Sequence, residues 1–301
     1  MRIAITGATG FLGRYIVRQL AAHSHHMRLW CRRGSDRSGF DDVDTAIEWT
    51  EGDLGDPAAA YRLAKDCDAV VHAALDRPGA GFRGAEGDVL PFVQRNLIGT
   101  LQLIEESRAA NVRRFIFVSS CAVHERILDD RPLDETHPLW PLTHYGAHKA
   151  AIEKFIHSYG MGLGYPICAI RPTGIYGVAH RVRESKWFDL IQRVVRGEAV
   201  ECRGGGKEVH AADVAKAVEL LLFAESIAGE AFACYDRYIS QFEVATIAQE
   251  LCGSTAEIRG QASSPKHQIA TEKIRALGMQ FGGDKLLRET IARLVAVAQA
   301  D

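Results

Sequence analysis

Short apolar runs with strand character cover residues 2–6, 27–31, 46–50, 69–73, 113–118 and 166–171, and stretches with helical apolar spacing lie at about 11–22, 57–65, 88–110 and 144–161. Alternation of this kind predicts βαβ units, hence an α/β doubly wound parallel sheet with helices on both faces. Past residue 172 the alternation loosens. Helix-like segments fall near 185–196, 212–224, 241–252 and 284–299, and strand candidates only near 198–202 and 231–234. The pattern divides the chain into a larger sheet domain over 1–172 and a smaller, mainly substrate-binding region over 173–301, with 205–225 expected to pack back onto the sheet.

Composition narrows the partners. With 301 residues, 47% of them hydrophobic, the chain can bury a large core, and its formal net charge of −2 without a long basic run argues against nucleic acid. Seven cysteines without a Cys-x-x-Cys pair read as reduced, packed thiols. The chain opens directly on a strand pattern, and no apolar run reaches membrane-spanning length. A cytoplasmic location with a small-molecule substrate, and no membrane partner, is the expectation.

The first strand pattern runs into Gly7-Ala8-Thr9-Gly10-Phe11-Leu12-Gly13 and then an amphipathic helix. Glycine permits unusual backbone angles and close approach of a phosphate, and the helix start offers unpaired N–H groups and a positive dipole end. Strand before and helix after make this a Rossmann dinucleotide pyrophosphate site. Gly7, Thr9, Gly10, Phe11, Leu12 and Gly13 are its expected cradle.

Enzymes preferring the unphosphorylated cofactor usually end the second strand with an acid that grips the ribose hydroxyl. Here Cys31 stands at that place, followed by Arg32 and Arg33, whose guanidinium groups suit a 2′-phosphate. NADP is therefore favoured, with NAD as the alternative. Paired arginines are also common as solvated surface charge. Asp53 and Leu54, just after the third strand, are placed at the adenine, although Asp53 could equally cap a helix or turn.

Tyr145 and Lys149, four residues apart at the start of a helix pattern, share one face. A phenol with a reference pKa near 10 becomes a usable base beside an ammonium group. Ser119 and Ser120 stand at the carboxyl end of the fifth strand, where such sheets hold their ligands.

In this order and spacing the glycine loop, strand-end serines and Tyr-x-x-x-Lys resemble the short-chain dehydrogenase/reductase superfamily, in its extended epimerase/dehydratase branch. Val71-His72-Ala73-Ala74, Asn96-Leu97-Ile98-Gly99-Thr100, Arg171-Pro172-Thr173-Gly174-Ile175-Tyr176-Gly177 and Val209-His210-Ala211-Ala212-Asp213 are further marks. The resemblance implies Tyr145 as general acid/base, Lys149 on the nicotinamide ribose and Ser120 on the reacting oxygen, with Ser119 the lesser choice. It also places Ser119, Ala73, Ala74, Asn96, Pro172 and Thr173 along the cofactor, gives Asp213 a helix-capping role, and makes a homodimer through residues 89–104 and 150–156 an expectation.

Departures from the family narrow the chemistry. Its 4,6-dehydratases follow the catalytic hydroxyl residue with Asp-Glu and its decarboxylases keep the Glu, whereas Cys121 and Ala122 stand here. Epimerase and reductase remain, acting on a secondary alcohol or ketone. The arginine that grips a nucleotide-sugar diphosphate is replaced by Gly206, and Tyr-Gly after the serines by His124-Glu125. A reductase of non-sugar carbonyls and a noncatalytic dinucleotide-binding regulator are the alternatives. Metal catalysis is not expected: His23, His25 and His26 read as a solvated loop, and His144 and His148 as helix surface.

Overall fold

The computed structural model describes residues 1–77 and 87–300. In chain order the first elements are β1 (Arg2–Thr6), α1 (Phe11–Ala22), β2 (His26–Cys31), β3 (Ile47–Glu51), α2 (Pro57–Ala64), β4 (Ala69–His72), α3 (Val89–Val93), α4 (Gly99–Ala109), β5 (Arg114–Val118), α5 (His144–His157) and β6 (Ile167–Pro172). There follow β7 (Gly174–Tyr176), α6 (Phe188–Val195), β8 (Val200–Cys202), β9 (Gly205–His210), α7 (Ala211–Phe223), β10 (Glu230–Cys234), β11 (Arg237–Ser240), α8 (Gln241–Cys252), β12 (Ile258–Gly260), α9 (Glu272–Ala276) and α10 (Gly283–Gln299). Two compact units result, one of residues 1–172, 214–234 and 269–279, the other of 173–213, 235–268 and 280–301.

The first unit holds a seven-stranded sheet in the order β10-β6-β5-β4-β1-β2-β3, parallel throughout. Successive strand residues point to opposite faces, so a sheet covered on both sides needs continuous apolar runs. β1 and β4 supply them: Ile3, Ala4, Ile5, Val70 and Val71 are all fully buried. One face takes Leu63 of α2, Leu103 and Ile104 of α4, and Ile152 and Ile156 of α5 against Ala4, Val70, Phe115 and Phe117. Strand order reverses between β1 and β4, and a crevice opens at such a reversal, beyond the strands' carboxyl ends.

The helix pattern over 88–110 is interrupted by a π turn at Gln94–Ile98 between α3 and α4. A second π turn, Ser158–Gly162, follows α5. The other unit carries a three-stranded sheet, β11-β9-β7, and a two-stranded one, β12-β8. Its core gathers Phe188, Ile191 and Val194 of α6, Val244 and Ala248 of α8, and Leu287, Ile291 and Leu294 of α10. Of residues 205–225, expected to pack back onto the large sheet, 205–210 form β9 between β7 and β11, and those from 214 on belong to the first unit.

Candidate active site

Three glycines shape the end of β1. Gly7 has φ +73°, and a Cβ there would stand 2.8 Å from main-chain atoms of Ala73 and Ala74 at the end of β4. A Cβ on Gly13 would stand 2.1 Å from the Gly7 carbonyl, so α1 can press against the loop only as glycine. Gly10, the N-cap of α1, offers no side-chain acceptor, and no acidic residue occupies the first turn. The helix start is thus left for an anion from outside. The residues present fit the pyrophosphate of a dinucleotide. Buried Arg14 ties this turn to the chain after β2, donating to the carbonyls of Thr9 (3.1 Å), Ser38 (2.7 Å) and Asp36 (2.8 Å).

The candidate side chains stand on adjoining segments at the end of β5 and the start of α5. Thr143 caps α5, its Oγ1 accepting from Gly146 N at 3.1 Å, and the Glu125 carboxylate accepts from the main-chain N–H groups of Leu142 (2.5 Å) and Thr143 (2.9 Å). Gly146 brings the helix against the turn that follows Ser120: a Cβ there would lie 2.6 Å from the Ala122 carbonyl. Tyr145, half-buried, and Ser120 are thereby fastened to two segments in direct contact. Ser120 Oγ accepts from Ala122 N at 3.1 Å, which commits a lone pair and leaves the hydroxyl proton to donate.

Lys149 is 4% exposed; its Nζ donates to the Val118 carbonyl at 2.8 Å and lies 4.4 Å from the centre of the Phe117 ring and 5.9 Å from that of Tyr145. Burial pulls its pKa down to about 7, against an opposing pull from Glu153. Arg77 is also held below its ordinary value by burial, with Tyr145 near enough to pull it the other way. Two cations therefore bear on one phenol.

Behind these groups runs a buried network that the sequence did not disclose. Glu153, 1% exposed, accepts a hydrogen bond from the Ser119 hydroxyl and pairs with Arg171 through Nε (3.0 and 3.1 Å) and Nη2 (2.6 Å). Arg171 Nη1 meets His124 Nε2 at 3.1 Å, so His124 is the neutral tautomer with its proton on Nδ1, facing the Pro138 carbonyl at 3.3 Å. Burial holds that imidazole's pKa down to about 3. The available signal was Glu153 four residues beyond Lys149, one helical turn along the same face.

The other expected site residues are placed as follows. Ser119 turns its hydroxyl inward and donates it to Glu153. Asn96 spends its amide on the loop after β4: Oδ1 accepts from Asp76 N (2.8 Å), and Nδ2 donates to the carbonyls of Asp76 (2.8 Å) and Phe92 (3.0 Å). The π turn leaves the Phe92 carbonyl for it. Asn96 thus fixes the main chain of that loop. Asp53 is exposed, and the cap of α2 is Asp56, which accepts from Ala59 N at 3.1 Å. Leu54 packs against the core. Ala73 and Ala74 lie beside Gly7, with Ala74 N donating to Thr6 Oγ1 at 3.1 Å.

Arg32 and Arg33 are exposed at the end of β2, and Arg32 Nη1 is 3.2 Å from Asp76 Oδ1. Pro172 ends β6, and Thr173 keeps a buried Oγ1 without a partner among the described residues. Asp213 sits in the first turn of α7, and its Oδ2 accepts from Gly282 N at 3.0 Å. The histidines correct two expectations. His25 is buried, stacked on Phe223 and 3.7 Å from Glu219, rather than solvated, and His148 is buried edge-on to Phe92. Among the described residues, no three His, Cys, Asp or Glu side chains are grouped to hold a metal.

The model of the NAD dependent epimerase/dehydratase family matches residues 3–233. The chain belongs to that family. It is an enzyme of the extended short-chain dehydrogenase/reductase type. Ceramide reductase of Caulobacter vibrioides is 35% identical over 178 residues, 58% of this chain and 46% of that one. UDP-glucose 4-epimerase of Rhizobium meliloti is 26% identical over 193 residues, 62% of this chain and 56% of the relative. These matches thus span about half of each relative's length. Among solved structures, the Thermus thermophilus UDP-glucose 4-epimerase complex with NAD shares the fold at a TM-score of 0.78, with 23% identity over 98% of this chain and 99% of that one. No helix among the described residues is long and apolar enough to cross a membrane.

Proposed function

We propose that this enzyme oxidises a secondary alcohol or reduces a ketone on a sugar-like substrate, as an epimerase or reductase with NADP as its preferred cofactor. The observation that carries the reading is Lys149, an ammonium buried beside Tyr145 on the helix that packs against the Ser120 turn. When bound, the nicotinamide supplies the site that takes up or returns hydride. Gly7, Gly10 and Gly13 would hold the pyrophosphate, and Lys149 the ribose beside the ring.

Tyr145 holds the proton that moves at the reacting oxygen. In oxidation its phenolate accepts that proton from the hydroxyl, and in reduction the phenol gives it back. Lys149 and Arg77 favour the phenolate, since opposite charge stabilises the ionised form. Ser120 donates its hydroxyl hydrogen to the same oxygen. Cys121 and Ala122 offer no carboxylate beside Ser120, which supports transfer without elimination. Exposed Leu90 and Phe155, on α3 and α5, support a homodimer through these helices, to be checked by sedimentation.

A reductase of non-sugar carbonyls is the second reading. A Cβ on Gly206 would lie 2.2 Å from the carboxylate of buried Glu208, which is paired with Lys186 at 2.5 Å, so no arginine can stand at Gly206 without displacing that pair. The likeness to a ceramide reductase points the same way. Tyr145→Phe tests both readings. Turnover falls by about 10²–10⁴-fold with cofactor affinity retained; a fully active Phe variant contradicts the mechanism. Assaying nucleotide sugars, free sugars, uronates and simple ketones for reduced-cofactor absorbance and epimer formation separates the two.

A further inference from the structure

The loop after β4 brings a carboxylate to the edge of the sheet where the cofactor's adenosine ribose is expected. Asp76 lies 3.2 Å from Arg32 Nη1 and 3.6 Å from Arg95 Nε, so a single acid stands between a guanidinium from the end of β2 and one from the π turn. Its main chain is fixed. The buried Asn96 amide bonds both Asp76 N and Asp76 O at 2.8 Å, and this grip leaves the side-chain carboxylate out of the account. Beside it opens a cavity of about 690 Å³ lined by Arg32, Asp76, Arg77, Phe92 and Arg95 among others.

We propose that Asp76 narrows the preference for NADP over NAD, a proposal that rests on Arg32 being the partner of the 2′-phosphate. β2 ends in Cys31, which has no carboxylate for a ribose hydroxyl; Asp76 brings one from the neighbouring loop. A 2′-phosphate must draw Arg32 away from Asp76 and then lie near a fixed negative charge. A 2′-hydroxyl, a donor, meets the same carboxylate as an acceptor. Arg32 is 64% exposed and Arg95 52%, and ion pairs so open to solvent are weak enough to exchange for a ligand. The carboxylate therefore disfavours NADP and favours NAD, and narrows the discrimination that Arg32 alone would impose.

The test is equilibrium binding of NADP+ and NAD+ to the intact chain, followed by calorimetry, for wild type, Asp76→Asn, Arg32→Ala and the double variant. Asp76→Asn keeps the shape and removes the charge; it tightens NADP+ by about tenfold relative to NAD+. Asp76→Ala shifts the ratio the same way, and unchanged thermal unfolding of both variants shows the fold intact. In the Arg32→Ala background the part of the gain that comes from freeing Arg32 is lost, so the gain shrinks. If Asp76→Asn leaves the NADP+/NAD+ ratio unchanged while Arg32→Ala lowers it, the role of Asp76 is refuted and that of Arg32 stands. If Arg32→Ala leaves the ratio unchanged, the 2′-phosphate reading fails, and with it this use of Asp76. A gain undiminished in the double variant also overturns the proposal, because Asp76 would then act without regard to Arg32.

Discussion

At the end of β5, charge is buried and tied down: Lys149, Glu153 and Arg171 are each no more than 4% exposed, and the Glu153–Arg171 pair joins Ser119 and His124 in one network. At the end of β2, Arg32 and Arg33 are exposed, and Arg32 reaches Asp76 across solvent. Both are strand ends of one parallel sheet in one compact unit. Low dielectric makes the first set strong but costly to disturb, and water makes the second weak and exchangeable. Chemistry needs fixed geometry at the reacting atoms, whereas cofactor choice needs only a bias between two ligands, and the functions proposed for the two ends match that difference.

Breaking the buried end should cost most. Glu153→Ala strands the Arg171 guanidinium in the core, and a loss of about 3–5 kcal/mol in denaturant unfolding is expected. A loss below about 1 kcal/mol would mean that water reaches the pair. Gly146→Ala, which pushes a methyl group into the Ala122 carbonyl, is expected to cost about 1–3 kcal/mol and to lower turnover with it, since it separates Tyr145 from the Ser120 turn. Activity retained in full would remove the close approach from the account. Asp56→Ala at the α2 cap is expected to cost about 1 kcal/mol in the same unfolding assay and to leave turnover alone. Arg32→Ala sharpens the contrast: its unfolding midpoint should move by less than about 0.5 kcal/mol even as cofactor preference shifts.

Stability also depends on pH through Lys149. Its pKa falls from 10.5 in the unfolded chain to about 7 in the fold, so the unfolded state binds more protons between those values. This residue's contribution is therefore present above pH 10.5 and is lost as pH falls toward 7. Wild type compared with Lys149→Met in urea at several pH values isolates that slope. Parallel curves would show an ordinary, hydrated ammonium.

The first half of the fold could be read from the sequence because local and long-range signals agree there. Ile3 through Gly13 carries an apolar strand, a phosphate-compatible turn and a helix start in one stretch, and β1, β4 and β5 have the unbroken apolar runs that a doubly covered sheet requires. The second unit hid its sheets. β9 begins Gly205-Gly206, residues of low strand propensity, and is held by antiparallel pairing to β11 and parallel pairing to β7, neither adjacent in sequence. The proximity of Tyr145 and Lys149 on α5 was legible from their four-residue spacing. Its support was not, since Ser119, Glu153, Arg171 and His124 come from four segments and declare themselves only through tertiary contact. The π turn that lets Asn96 take the Phe92 carbonyl was equally silent, because the apolar period runs through it.

The claim on which the rest turns is that the Lys149 side chain beside Tyr145 is buried and desolvated. Titrating the 13Cε resonance of Lys149 by NMR, assigned by its disappearance in Lys149→Met, measures this without turnover. The structure predicts a midpoint near pH 7. A midpoint near 10.5, the ordinary lysine value, would contradict it.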